Sequence, residues 1–348
     1  MNKKAQAWIA EILPFIICNW SESLESWLSK RVGLMTGSKV GGALGYSSYM
    51  TPLQLMTEFQ YPERVEPVEK YSSSWLRMEV GSLAEEPIRR AAEADPARPG
   101  MYESIENTAR LIRHPEYDWA ACSPDGLAWS EEYGRVLIEI KNTNVNTLHQ
   151  YKTDDGSPCV PSNYKAQVLW NMACVRADVG ILIANFNGDI KYRVVERNEQ
   201  DIEMLFSKAS MFLRAVETQD ASLLLDVIEN AEAMHKVVKQ LFRKSDGAEL
   251  SVSDPEMDAL VEELVDVKRL FKDAASRKSA LEGIIKGRIG RASRMVTSRF
   301  SVTWSQRAGS PSFDKDGLAA KYPEIFKEFT REGLPHRGGL TLTPKKEK

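Results

Sequence analysis

Three side chains in the middle of this 348-residue chain suit phosphodiester hydrolysis. Asp125 follows Ser-Pro and precedes a glycine, while Glu139 and Lys141 are separated only by Ile140. Two converging carboxylates suit Mg²⁺, which takes oxygen ligands, and the Ile140 carbonyl could add a third. Such a cation offsets the charge that develops on phosphate, and Lys141 could orient the attacking water as a compact point charge. The spacing therefore predicts a metal-dependent hydrolytic site.

Glu139 and Lys141 lie in a segment that alternates like a strand. In 136–141, apolar residues at the even positions alternate with Leu137, Glu139 and Lys141. This predicts a strand whose apolar face packs on the core, with a carboxylate and an ammonium side by side on the opposite face. An exposed ion pair on an amphipathic strand produces the same pattern, so the Glu-x-Lys spacing alone does not decide between the two interpretations.

The flanking segments supply the rest of a folded core. A short extended segment ends near 124–126, and SEEYG at 130–134 indicates a hairpin turn. Residues 164–172 have helical spacing, and VGILIANF at 179–186 is typical of a buried strand. Strand, hairpin, helix and strand together predict an α/β core.

The chain divides into three regions by pattern. Residues 1–100 are mostly helical with a Gly-rich break at 31–45, residues 101–197 hold the catalytic pattern, and residues 198–348 are strongly helical. Ser, Asp and Gly at 244–254 indicate a linker, and Asp254-Pro255 is a helix start signal. We expect a core over 1–197 and a helical C-terminal extension over 198–348.

Composition fits a folded protein of a reducing compartment. The chain is 43% hydrophobic and 27% charged, with four cysteines, no CxxC pair and four dispersed histidines, so disorder, a disulfide framework and a zinc site are not expected. With no apolar run long enough to cross a bilayer, we expect no membrane segment and a cytoplasmic location. The net charge of −3 conceals a run at 277–299 with seven basic residues and one acid, a candidate phosphate-contacting arm or an ordinary solvated face.

Arg31 and Ser38 form a second candidate site. Thr-Gly-Ser at 36–38 lies where a loop enters a helix, and the free N–H groups of such a turn favour an anion. Arg31 could grip a phosphate with two hydrogen bonds. A helix cap with a surface arginine is the alternative.

Several motifs together resemble one nuclease family. CSPDGL at 122–127, IEIK at 138–141 and YKAQVLWNM at 164–172 resemble the PD-(D/E)xK nuclease core, in the form found in YqaJ-type viral recombinases and lambda exonuclease. WLSKRVGLMTGSKVGGALG at 27–45 and VGSLAEEP at 80–87 resemble two upstream signatures of that family. The resemblance covers about 27–196.

The resemblance implies a restriction-endonuclease-like mixed sheet flanked by helices, and a role for each matched residue. Asp125, Glu139 and the Ile140 carbonyl would hold Mg²⁺, or Mn²⁺ in its place, and Lys141 would act on the attacking water. The supporting residues would be Gln167 and Tyr164 beside Lys141 and the scissile phosphate, the additional acid Glu85, and Arg31 with Ser38 at the DNA 5′-phosphate.

One family position has two candidates. The family helix places proline directly after its glutamate, whereas here Glu85 and Glu86 both precede Pro87. Counting from Gly81 selects Glu85, while counting back from the proline selects Glu86. The glycine spacing favours Glu85.

By resemblance, the chain would be an exonuclease that degrades linear double-stranded DNA from 5′ to 3′. The resulting 3′ single strand would pass to a single-strand annealing protein, and the enzyme would be a homotrimer around DNA in a bacterial host, of phage or mobile-element origin. A structure- or sequence-specific endonuclease on the same core and a non-catalytic DNA-binding module are the alternatives.

Overall fold

The computed structural model describes residues 3–65, 68–105, 109–309, 312–331 and 340. Two compact units, 1–241 and 242–348, make up the chain. The first unit mixes helices and strands in this order: α1 (Lys3–Ile12), β1 (Ile16–Asn19), α2 (Leu24–Lys30), β2 (Met35–Thr36), α3 (Gly37–Ala43), α4 (Pro52–Gln60), α5 (Ser73–Ala94), β3 (Glu103–Ile105), β4 (Ala109–Arg113), β5 (Ala120–Cys122), β6 (Gly126–Ser130), β7 (Gly134–Thr143), α6 (Ser162–Val175), β8 (Val179–Phe186), β9 (Asp189–Glu196), α7 (Glu199–Thr218) and α8 (Ala231–Leu241).

The central sheet carries the predicted catalytic pattern. Its strands run in the order β3-β6-β7-β8-β9, with β7 and β8 parallel and the other neighbours antiparallel. The β6–β7 hairpin has the predicted turn and pairs Gly126 with Ile138. Helix α6 connects the parallel strands, as such a pair requires. This mixed sheet with flanking helices confirms the predicted fold class.

Both faces of β7 are covered, so the alternative of an exposed ion pair on an amphipathic strand is wrong. Val136, Ile138 and Ile140 pack with α5 residues in one core cluster, while Leu137 lies in the cluster that contains α6. Glu139 is only 1% exposed. The reason is the parallel β7–β8 pair, whose crossover helix covers the second face of the sheet.

A second sheet brings the N-terminal region against the catalytic region. Its order is β1-β4-β5-β2, with β2 parallel to β5 and the other pairs antiparallel. The region 1–100, predicted to be mostly helical, thus also contains two short strands, β1 and β2, of which β2 lies within the predicted break at 31–45. Because β2 leads directly into α3 and β5 leads into Ser123, the Arg31–Ser38 segment lies beside the strand that precedes Asp125.

Helices α7 and α8 complete the core of the first unit. Ile202, Phe206 and Phe212 of α7 and Val237 of α8 are buried in the main hydrophobic cluster. The expected boundary at 197 thus lies before two helices that pack with the first unit. The predicted linker at 244–254 contains no helix or strand and follows the boundary between the two units.

The second unit contains one long helix and several short elements. They are α9 (Pro255–Ile289), β10 (Arg294–Val296), β11 (Ser301–Thr303), α10 (Lys315–Lys321) and α11 (Pro323–Phe329). The Asp254 side chain accepts a hydrogen bond from the Glu256 N–H at 2.9 Å, which confirms the predicted helix start. No helix in the described ranges is long and apolar enough to span a membrane.

Candidate active site

Glu139 is the centre of a buried hydrogen-bond cluster. The Lys141 ammonium and the Gln167 amide both donate to its Oε1 atom, and Asn171 Nδ2 donates to Oε2 at 3.1 Å. Gln167 and Asn171 are four residues apart on α6, so both side chains lie on the helix face that covers β7. The arrangement fixes both carboxylate oxygens of Glu139.

Asp125 reaches the same place from the start of β6. Its Oδ2 accepts a hydrogen bond from the Ile140 N–H at 2.7 Å, which holds the carboxylate at the bond between Glu139 and Ile140. Burial, followed by repulsion from Asp125, raises the pKa of Glu139 to about 8. Burial also raises the pKa of Asp125, whereas the two carboxylates together raise the pKa of Lys141. The cluster concentrates negative charge around one ammonium.

The donor set fits a hard divalent cation by its chemistry. No three His, Cys, Asp or Glu side chains within the described ranges form a metal-holding group by themselves. The Asp125 and Glu139 carboxylates nevertheless lie close together, and with the Ile140 carbonyl they would offer oxygen, the ligand type that Mg²⁺ and Mn²⁺ accept. A cation there would offset the repulsion that raises the pKa of Glu139.

Glu85 faces this cluster, and Glu86 does not. Both glutamates line a cleft of about 790 Å³ that also contains Asp125 and Ile140. Burial and then the nearby Asp125 carboxylate raise the pKa of Glu85 to about 7. Glu86 instead forms ion pairs with Arg89 and Arg90, each at 2.7 Å. The geometry favours Glu85 as the additional acid, in agreement with the glycine spacing.

Tyr164 and Gln167 have different partners in the site. The Lys141 ammonium lies 5.5 Å from the centre of the Tyr164 ring, a cation–π contact that supports its position. Gln167 contacts Glu139 rather than Lys141. Tyr164 therefore backs the lysine, and Gln167 helps to hold the carboxylate.

Arg31 lies in a polar pocket formed with two hydroxyl groups. Arg31 Nη2 donates to Ser38 Oγ at 3.1 Å and to Thr36 Oγ1 at 3.3 Å, while its Nε is buried without a hydrogen-bond partner. The guanidinium also stacks on Trp27 at 4.2 Å. In the part of the chain that the structure describes, Arg31 has no carboxylate partner. A partly buried arginine with a spare donor suits an anionic ligand.

The phosphate-binding candidate and the acid cluster meet through a close helix contact. A Cβ atom at Gly37 would lie 2.3 Å from Asn171 Oδ1, so only glycine fits at the start of α3. Asn171 thus touches both Gly37 and Glu139. Sequence reasoning missed Asn171, although its spacing of four from Gln167 was a signal that could have found it, and it included Thr36 only as part of the 36–38 turn.

A comparison with protein-family models gives a match over part of the chain. Residues 26–178 match the model of the YqaJ-like viral recombinase domain. This region of the chain is therefore similar to a YqaJ-like viral recombinase domain. The match covers the 5′-phosphate candidates, Glu85 and the whole acid cluster. It agrees with the resemblance that the motifs predict.

The solved structures to which the chain is similar include two exonucleases. An alkaline exonuclease (LHK-Exo) from Laribacter hongkongensis is 21% identical, with a TM-score of 0.43, over 56% of this chain and 93% of that chain. A phage related exonuclease from Haemophilus somnus 129PT is 12% identical, with a TM-score of 0.38, over 55% of this chain and 96% of that chain. No curated protein sequence matches the chain.

Proposed function

We propose that this nuclease degrades linear double-stranded DNA from its 5′ ends with Mg²⁺, or Mn²⁺ in its place, and leaves a 3′ single strand. The observation that carries the proposal is the contact between two sites of different chemistry. Asn171 touches both Glu139 of the acid cluster and Gly37, which lies between the two hydroxyl residues that hold Arg31. A hydrolytic centre next to an anion pocket suits a substrate with a phosphate at its end.

Each residue of the acid cluster has a role in the proposed reaction. Asp125, Glu139 and the Ile140 carbonyl would hold the cation. When bound, the cation would offset charge on the scissile phosphate and lower the pKa of the attacking water. Lys141 stays protonated because two carboxylates raise its pKa, so it acts as a hydrogen-bond donor to water or phosphate and not as a base. Glu85 adds a carboxylate on the α5 side of the cleft.

The proposed 5′-phosphate site uses side chains more than the helix terminus. Helix α3 has only seven residues, so its dipole is a small contribution. Arg31 would bind the phosphate through its unpartnered Nε and the adjacent Nη2, with Ser38 and Thr36 as further donors. An enzyme that holds the terminal phosphate of one strand begins hydrolysis on that strand, which gives the proposed 5′ to 3′ direction.

The proposal extends to partners and assembly. The substrate is a duplex end, and the product is a 3′ single strand, which a single-strand annealing protein would consume in recombination. A homotrimer that encircles DNA would keep the enzyme on its substrate during successive cleavages. The exposed basic run at 277–299 would contact DNA phosphates.

Three DNA substrates test this function. A linear duplex with 5′-phosphates, the same duplex with 5′-hydroxyls and a closed circle are incubated with and without Mg²⁺. We expect the phosphorylated duplex to be digested and the hydroxyl form to be digested about 10-fold more slowly. The circle should stay intact, and no substrate should react without a divalent cation. Cleavage of the circle would indicate an endonuclease, and equal rates for the two linear ends would refute the Arg31 and Ser38 assignment.

A matched pair of arginine variants sharpens the second comparison. Arg77 also donates to a serine hydroxyl, that of Ser74 at 3.3 Å, but lies exposed on α5. We expect R31Q to lose the preference for 5′-phosphate and R77Q to keep it. The ratio of the rates on the two linear duplexes is the readout, because it cancels any general loss of activity.

A further inference from the structure

Two arginines and two tryptophans alternate in a column that begins at the Arg31 pocket. The Arg31 guanidinium lies 4.2 Å from the centre of the Trp27 ring, and the Arg110 guanidinium lies 4.7 Å from the same ring. Arg110 also lies 5.1 Å from the centre of the Trp20 ring. The order is therefore Arg31, Trp27, Arg110 and Trp20.

The fold places this column between the two candidate sites. Strand β1 pairs antiparallel with β4, with Asn19 opposite Ala109, so Trp20 and Arg110 each lie one residue after this pair on their own strand segments. Trp27 on α2 donates its indole N–H to Ser123 Oγ at 3.3 Å, and Ser123 lies two residues before Asp125. The inner tryptophan is thus hydrogen-bonded to the segment that carries the first acid of the cluster.

The outer end of the column opens into the acidic cleft. The Trp20 side chain is 49% exposed and lines the cleft that Asp125, Ile140 and Glu85 also line. A large aromatic ring left half exposed beside catalytic acids is a surface that a ligand can cover. Since Arg110 supports the other side of the column, the Trp20 ring is held in place before any ligand binds.

The two arginines of the column form no ion pairs with the described residues. Arg110 donates to the backbone carbonyl of Glu22 at 3.4 Å, while the Glu22 carboxylate pairs with Lys30. Within the described ranges neither Arg31 nor Arg110 has a carboxylate partner. A cationic, aromatic surface of this kind suits a ligand that combines a flat ring with phosphate.

We propose that Trp20 stacks on the base of the 5′-terminal nucleotide of the strand being cut, with Arg110 supporting the indole from behind. The inference rests on the proposed function and assigns a base subsite to it. A nucleotide whose 5′-phosphate lies at Arg31 and whose 3′-phosphate lies at the acid cluster would extend along the column. Stacking uses the π-face that every base has, so this subsite separates the end base from its partner without sequence preference.

The test compares two duplexes with the same 5′-phosphate. In one the terminal nucleotide is normal, and in the other it lacks its base. We expect W20A to slow release of the first nucleotide from the normal duplex about 10-fold and to leave the rate on the abasic duplex unchanged. W304A is the matched control, because Trp304 of the second unit is exposed to the same extent, 48%. An equal loss on both duplexes, or W20A behaving like W304A, would overturn the proposal.

A binding measurement separates this subsite from the nuclease activity. The duplex carries 2-aminopurine as its terminal base, and its fluorescence is recorded with a chelator present, so that no strand is cut. Wild type, W20F and W304A should quench the probe on binding, and W20A should not, although it melts at the same temperature as W20F. Equal quenching by W20A contradicts the stack. If the wild-type protein does not digest DNA in Mg²⁺, the proposed function is refuted. The quenching result still tests the stack, because it is recorded without cleavage.

Discussion

Glu139 is the most constrained side chain of the candidate site. It is 1% exposed, and three donors from Lys141, Gln167 and Asn171 share its two oxygens. A carboxylate that is fixed in this way can keep one orientation when a cation enters, because the amide donors do not have to move with it. The orientation of Glu139 therefore depends on α6 as much as on its own strand.

Removal of the Asn171 amide should weaken the site without touching substrate. N171A leaves Glu139 Oε2 without its donor, and we expect activity to fall about 10–100-fold, with a higher metal concentration needed for half-maximal rate. The measurement is the digestion rate as a function of Mg²⁺ concentration. N185A is the control, since the Asn185 amide donates to Asn142 and not to an acid of the cluster. A wild-type Mg²⁺ dependence in N171A would contradict this role.

Substitution of the two neighbouring glutamates on α5 should affect activity to very different extents. E85Q removes a carboxylate that faces Asp125, and we expect a loss of activity of about 10-fold or more. E86Q breaks exposed ion pairs with Arg89 and Arg90, which should cost less than about 1 kcal/mol of stability and little activity. Rates of the two isosteric variants on the same duplex decide between them. A larger loss in E86Q would select the other acid.

The sequence predicts Asp125, Glu139 and Lys141 as candidate site residues because strand alternation and a short hairpin can be recognised from residue spacing. Asn171 was not readable in the same way. It lies among apolar residues of a helix that is buried on nearly every side, and only the fold shows that its amide points to Glu139. The spacing of four from Gln167 places Asn171 on the same face of α6, but the contact with Glu139 is visible only in the fold.

At the scale of elements, the close approach of α3 to α6 connects the two candidate sites. Gly37 lies against Asn171 and Gln167, and one turn later Gly41 lies against Asn163, where a Cβ would come within 3.3 Å. Two glycines four residues apart let one helix pack directly on the other. The contact fixes the distance from the Arg31 pocket to the acid cluster.

Alanine at Gly37 should therefore disturb both stability and activity. The added Cβ would meet Asn171 Oδ1 at 2.3 Å, so we expect G37A to lower the free energy of unfolding by about 1–3 kcal/mol and to reduce digestion. G283A is the control, because a Cβ there meets nothing within 4 Å and should raise stability by up to about 1 kcal/mol. Denaturant unfolding of both variants is the measurement. An unchanged G37A would mean that the helices separate easily.

The second sheet shows what the sequence could not predict. Its strands β1 and β2 have four and two residues, too few for alternation to be visible, and β2 pairs in parallel with β5, which lies about 85 residues later in the sequence. Long periodic segments such as α9 and α6 were predictable because their periodicity extends over several turns. The juxtaposition of the two candidate sites depends on the short strands, and so it became visible only in the fold.

At the scale of the whole chain, charge is distributed unevenly around a net value of −3. The run at 277–299 holds seven exposed basic residues, and its one acid, Glu282, pairs with Lys278 and Lys286. With +6 in this run, the remaining residues sum to −9 to reach the total of −3. A net charge near zero thus does not argue against DNA binding, because binding depends on local charge.

Stability of the first unit should depend on pH through His114. Its Nδ1 accepts hydrogen bonds from the N–H groups of Glu116 and Tyr117, and burial lowers its pKa from 6.5 to about 4, against an opposing effect of Glu116. The unfolded chain then binds a proton that the folded chain does not. The contribution of His114 to the free energy of unfolding is fully present above pH 6.5 and is lost as the pH decreases towards 4. We expect a decrease of about 1–2 kcal/mol, because the ring is partly exposed and solvent weakens the effect.

The variant H114N isolates this contribution to the pH dependence. Its amide oxygen can accept the same backbone hydrogen bonds but does not titrate in this range. We expect the stability difference between wild type and H114N to shrink or reverse as pH decreases, measured by denaturant unfolding at several pH values. Parallel curves for the two proteins would contradict the assignment.

Digestion and binding by D125N test the assignment of the acid cluster most directly. The variant keeps an oxygen that can accept the Ile140 N–H, so the fold should be preserved, but it removes one of the two carboxylates that would hold the cation. On a 5′-phosphorylated linear duplex in Mg²⁺, we expect no detectable release of nucleotides, with duplex affinity close to that of wild type. Digestion at the wild-type rate by D125N would show that hydrolysis takes place elsewhere in the chain.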